Sequence, residues 1–108
     1  NEKAIDMLKS FRASDQMVSP AIVGLIGDCY VNAGNVKEGI SYFEKAAKEA
    51  NNEVISPIYL KKAGIAYESL QQYADAVKSY TQIKEKYFNS MEAADIDKYI
   101  ARATALAK

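Results

Sequence analysis

The chain has 108 residues, about half of them apolar and about a quarter charged, which suits one globular domain. Fourteen Lys and Arg balance fourteen Asp and Glu, so no net positive charge draws it toward nucleic acid or an anionic membrane surface. There is no histidine, the commonest general base and transition-metal ligand, and the single cysteine, Cys29, leaves no internal disulfide and no cysteine metal cluster.

No apolar run approaches the ~20 residues of a spanning helix, and there is no signal-peptide pattern. Residues 1–12 place Ala4, Ile5, Leu8 and Phe11 at helical spacing. The steps Ala4, Leu8, Phe11 recur at Gly39, Phe43, Ala46 and at Ala76, Tyr80, Ile83, and each triplet marks the second helix of a helical hairpin. The chain is therefore expected to open on an orphan second helix, as a fragment of a longer protein. Ala13-Ser14-Asp15 read as a polar turn. Ser19 then offers an N-cap oxygen, and Pro20 stands at the first helical position, where its missing N–H leaves no bond unmade. The predicted helix runs over 19–33 and stops at Gly34-Asn35, both tolerant of left-handed backbone. Its partner runs over 36–50 with Ile40, Phe43, Ala46 and Ala47 on one face, and Asn51-Asn52 break it.

The next hairpin repeats this grammar. Ser56-Pro57 start a helix, Gln71-Gln72 replace the Gly-Asn turn, and a partner helix spans 73–87. Asn89-Ser90 end that helix and cap a last one over about 91–106, with Ile96, Tyr99, Ile100, Ala103 and Leu106 on one stripe. Glu92, Asp95 and Asp97 fall in its first turns, where the helix dipole favours acidic groups. This helix is expected to cover the second hairpin and present a polar outer face.

The two hairpins are copies of one another. An offset of 37 lays Ser56-Pro57 on Ser19-Pro20, Gly64 on Gly27 and Tyr67 on Tyr30. In the same register Leu60 falls on Val23, Ala66 on Cys29, Ala76 on Gly39, Val77 on Ile40 and Tyr80 on Phe43. One offset held across two helices and their turn is the mark of a helical repeat array. The expectation is one all-α domain: an orphan helix (1–12), repeats over 19–52 and 56–88, and a capping helix (90–107).

Small residues at Gly27, Gly64, Gly39, Ala76 and Ala46, with aromatics at Tyr30, Tyr67, Phe43, Tyr80 and Tyr73, resemble the tetratricopeptide repeat pattern. The resemblance implies a right-handed α-α superhelix serving as a non-catalytic protein–protein interaction scaffold. Two departures stand out: the unit is 37 residues where 34 is usual, and Val23 or Leu60 stands where Trp is usual. The runs SPIYLKKAGIAYESL and IKEKYFNSMEAADIDKYI further resemble the C-terminal end of membrane-tethered bacterial repeat proteins. That likeness implies a setting on the extracytoplasmic side of the bacterial envelope, tethered by an N-terminal helix outside this sequence.

In such an array the first helices line the concave side. The resemblance makes Leu25, Asp28 and Asn32 of the first copy and Ile58, Lys61, Ile65 and Glu68 of the second a candidate peptide groove. Leu25, Ile58 and Ile65 would supply apolar contact, and Asp28 and Lys61 would set polarity. The alternative is that Leu25 and Ile65 pack against the preceding unit. Some family members clamp a terminal carboxylate with Lys and Asn; here Gly24 and Asp28, then Lys61 and Ile65, stand at those places, so that clamp is not expected. Cys29, whose copy is Ala66, reads as a small buried apolar residue. A carboxylate site at Asp95 and Asp97 is the enzymatic alternative, and self-association through the orphan helix is the other. The expectation is a protein or peptide partner, or a weak homo-oligomer, with no nucleic acid, no membrane insertion, no cofactor and no metal.

Overall fold

The computed structural model describes residues 2–14 and 19–108, and every regular element in them is helical. In chain order these are α1 (Glu2–Ser14), α2 (Pro20–Asn32), α3 (Val36–Ala50), α4 (Ile55–Ser69), α5 (Tyr73–Lys86), a 3-10 turn (Glu92–Asp95) and α6 (Ile96–Leu106). Each helix packs on its neighbour in sequence, from α1 against α2 through to α5 against α6. The outcome is a stack of helical hairpins, a superhelical array with Cα extents of 42 × 28 × 15 Å. α1 continues to Ser14, two residues past its expected end, so Ala13 and Ser14 are helical and not a turn. Ile5 is its buried residue and Ala4 is half-buried. The side chains of Leu8 and Phe11, and Asp15, lie outside the described residues.

The small and bulky residues meet as the repeat pattern requires. A Cβ on Gly27 would come 2.7 Å from a ring carbon of Phe43 and 2.9 Å from the Gly39 carbonyl oxygen. A Cβ on Gly64 would come 2.3 Å from the Tyr80 ring. In both hairpins, then, a ring of the second helix rests on the bare backbone of the first. The turns also match. Gly34 takes φ +89°, and Gln71 takes φ +60° at the equivalent place, accepting a left-handed strain that glycine avoids.

The two Ser-Pro pairs do different work. Ser19 caps α2, its Oγ accepting from the Ile22 N–H at 3.4 Å. α4 instead begins at Ile55, with Ser56 and Pro57 inside the helix and buried. Asn52 has taken over the cap: its Oδ1 accepts from the Val54 and Ile55 N–H groups at 2.9 and 2.8 Å. Asn51, left-handed at φ 45°, ends α3 and places Asn52 to reach those donors one turn before Ser56. The Ser56 hydroxyl is thereby released to accept from the Asn52 N–H at 3.1 Å and donate to the Ala47 carbonyl at 2.7 Å. It ties the start of α4 to the last turns of α3.

Three further expectations are corrected. The capping segment opens as a 3-10 turn, its backbone closing i to i+3 bonds from the Ala93 N–H to the Ser90 carbonyl at 3.3 Å and from the Ala94 N–H to the Met91 carbonyl at 3.2 Å. Ile96 and Ala103 of α6 are buried and Tyr99 and Ile100 half-buried, but Leu106 is exposed, since α6 ends beside the first residues of α5 with nothing left to cover it. Cys29 is half-buried, whereas its copy Ala66 is buried.

Candidate functional site

α2 and α4 are in contact, and the offset of 37 makes Ala21 and Ile58, Leu25 and Lys62, Asp28 and Ile65, and Asn32 and Ser69 equivalent positions of the two repeats. Leu25, Ile58 and Ile65 are 45, 37 and 47% exposed. The preceding hairpin, α2 and α3, leaves Ile65 exposed. Ile58 and Ile65, seven residues apart, share one face of α4 and stand about 10 Å apart along its axis at 1.5 Å of rise per residue, and Leu25 is exposed on the neighbouring α2. At the Asp28 and Ile65 level the surface dips into a cleft of about 270 Å³ lined by Asp28, Val31, Phe43, Lys62, Ile65, Ala66 and Ser69. Phe43 reaches it from α3 because the bare backbone at Gly27 leaves room for the ring to lie between the first helices.

The two groups expected to set polarity take separate partners. Asp28 pairs with Lys62 at 2.8 Å, not with Lys61. One residue along a helix turns a side chain by about 100°, and that separates the two lysines. Lys62 leans back toward α2, its ammonium 5.8 and 5.9 Å from the Tyr59 and Phe43 ring centroids. Lys61 faces forward, 4.5 Å over the Tyr99 ring centroid and 4.0 Å from the Asp95 carboxylate. The equivalent position in α2 is Gly24, which is buried, with the Tyr59 ring of α4 lying on it. Both positions face the next first helix, so Gly24 does not line the groove and Lys61 belongs to the junction of α4 with the cap.

Glu68 is also engaged. Arg102 of α6 grips it through two bonds, at 3.1 and 2.7 Å, and the Tyr80 hydroxyl of α5 donates to the same carboxylate. Burial pushes this carboxyl up, but the Arg102 and Tyr80 donors outweigh it and hold the group below the usual glutamate value. Burial, then the bond to Glu68, pushes the Tyr80 phenol well above its usual range. Glu68 is thus a three-helix tie and not a free ligand group. Asn32 lies exposed at the last residue of α2. The structure therefore brings Asp28 and Ile65 into one cleft and leaves Leu25 and Ile58 exposed on the same two helices. It sends Lys61 and Glu68 to the cap. Phe43 is the cleft residue that pattern reading passed over, because its place on the apolar face of α3 assigned it to packing within the hairpin.

A larger groove, about 530 Å³, lies between the second helices α3 and α5, bordered by Glu44, Lys48, Asn51, Gln82, Lys86 and Tyr87. Its lysines stand in the last turns of α3 and α5, where they answer the helix dipoles. Its rim is polar over Ala47 and Leu60, and the concave cleft, though smaller, is the more apolar of the two, as binding sites for apolar groups are. The enzymatic alternative finds no converging groups: Asp95 turns to Lys61, and Asp97 pairs with Lys84 at 2.8 Å on α5. Among the described residues there is no cluster of three or more metal-ligating side chains and no helix long and apolar enough to cross a membrane.

Models of the tetratricopeptide repeat match residues 21–53 and 60–90, which together make up more than half of the chain. The searches of curated proteins and of solved structures returned no match. The two matched stretches coincide with the two ring-on-glycine hairpins, and tetratricopeptide repeats are modules of protein–protein interaction. The chain belongs to the tetratricopeptide repeat family.

Proposed function

We propose that this chain is a non-catalytic scaffold that holds a peptide segment or a helix of a partner protein across the concave side of α2 and α4. The observation that carries the reading is the exposure of Leu25, Ile58 and Ile65, three large apolar side chains left in water on neighbouring helices, with Ile65 bordering a cleft that Phe43 also lines. A helix presenting apolar residues at i, i+3 or i+4 and i+7 is the kind of segment such a surface takes. Ile65→Asp places a charge on the cleft floor while touching no hydrogen bond. It should abolish partner capture by the full-length protein in crosslinking from its native cells, and leave stability within about 0.5 kcal/mol of the parent. Capture that survives Ile65→Asp moves the site away from the concave side, and the groove between α3 and α5 becomes the next candidate.

The same reading places the scaffold in assemblies of the bacterial cell envelope, supported by the likeness of its 56–70 and 83–100 runs to membrane-tethered repeat proteins. Protease added to intact spheroplasts should digest the native protein if it stands outside the cytoplasm. Protection until the inner membrane is lysed would overturn that placement.

A further inference from the structure

The charges around the concave face cancel one another locally. Asp28 is joined to Lys62 at 2.8 Å, Glu68 to Arg102 at 2.7 Å, and Lys61 lies 4.0 Å from Asp95. Each pair spans two different helices, so the neutrality is built by the fold and not by neighbours along one helix. What remains for a ligand is Leu25, Ile58, Ile65 and the Phe43 floor. At about 270 Å³ the cleft is below the ~300 Å³ at which pockets begin to enclose a drug-sized molecule. It suits a single large side chain.

We infer, resting on the concave-face reading above, that the partner is an uncharged apolar peptide segment that seats one bulky aliphatic or aromatic side chain beside the Asp28–Lys62 pair, and that this pair keeps acidic segments out. An anionic segment would have to compete with Asp28 for Lys62 while facing the Asp28 carboxylate itself. A cationic one meets the mirror problem at Lys62. Specificity of this kind comes from charges held by the protein's own partners, and it rejects wrong ligands more than it attracts right ones.

The probe is a displayed library of random twelve-residue peptides, panned in parallel on the parent, Ile65→Asp and Asp28→Asn proteins. The parent should enrich peptides with two or more large apolar residues and no net charge, and these should be lost on Ile65→Asp. The affinity of the best of them, read by fluorescence anisotropy, should change less than about twofold between about 50 and 500 mM salt, because screening acts on charge and leaves apolar burial intact. Asp28→Asn frees the Lys62 ammonium and should shift the enriched pool toward peptides carrying Asp or Glu, with affinity falling about tenfold over the same salt range. Enrichment of charged peptides by the parent, or no shift on Asp28→Asn, overturns this inference while leaving a concave binding site in place. Enrichment unaffected by Ile65→Asp, or none at all, overturns the concave-face reading itself.

Discussion

Replacing Gly27 by alanine tests the packing on which the array rests. The added Cβ would lie 2.7 and 2.8 Å from two ring carbons of Phe43 and 2.9 Å from the Gly39 carbonyl oxygen. Phe43 is buried and its ring stacks on Tyr59 at 6.0 Å, so it has little room to swing away. The Gly39 oxygen is backbone and moves only if α3 moves. Forcing one carbon against both a held ring and a backbone oxygen falls in the upper part of the usual overpacking range, about 2–3 kcal/mol, and the better helix propensity of alanine returns about 1 kcal/mol. The net expectation is a loss of about 1–2 kcal/mol, or roughly 4–15 °C in Tm for a domain of this size, read by far-UV circular dichroism during thermal unfolding. Adding Phe43→Leu removes the ring but leaves the carbonyl, so it should recover only part of the loss. Gly34→Ala is the control: nothing lies within 4 Å of its Cβ, and its cost comes only from φ +89°. A Gly27→Ala protein as stable as the parent would show that α2 and α3 do not cross on this glycine.

Ser56→Ala removes the donor to the Ala47 carbonyl and the acceptor for the Asn52 N–H. With both groups shielded, it should lower stability by about 1–2 kcal/mol in urea unfolding. Ser19→Ala, at an exposed cap with a 3.4 Å bond, should cost less. The Glu68 carboxyl, held below the usual value by Arg102 and Tyr80 against the upward push of burial, contributes stability that is complete above an unfolded pKa of about 4.3 and is lost as pH falls through its lower folded value. Glu68→Gln should therefore be less stable than the parent at neutral pH and converge with it in acid; parallel curves down to about pH 2 would refute that coupling. Amide hydrogens of α1, where Ile5 is the one buried residue among the described side chains, should exchange faster than those of α4, and equal protection of the two helices would contradict the assignment of α1 to the edge.

The hairpins were legible because their signals are local or periodic. Ser19-Pro20 and Gly34 set the bounds of α2, and the offset of 37 paired Gly27 with Gly64 and Phe43 with Tyr80 before any contact was known. The failures came where one residue had two possible jobs. Ser56 copies Ser19 in sequence, yet the extra residues before it let Asn52 seize the cap and send the hydroxyl into the core. Asp28 had two lysines within reach in the aligned helix, and only the rotation of α4 against α2 decides for Lys62. Glu68 looked like a groove residue because it falls on the outward side of a first helix in the repeat pattern. Its capture by Arg102, 34 residues on, depends on how α6 docks, and no periodicity reports that.

The hydroxyl of Tyr87 donates to Asn51 Oδ1 at 2.9 Å, joining the residues that follow α3 and α5, one repeat apart. No such bond links the Gly34 and Gln71 turns at the other margin among the described residues. A coil stitched along one border and open along the other flexes unevenly. The expected consequence is freer motion at the margin of Gly34 and Gln71 than at that of Asn51 and Tyr87, readable as faster amide exchange at the first margin.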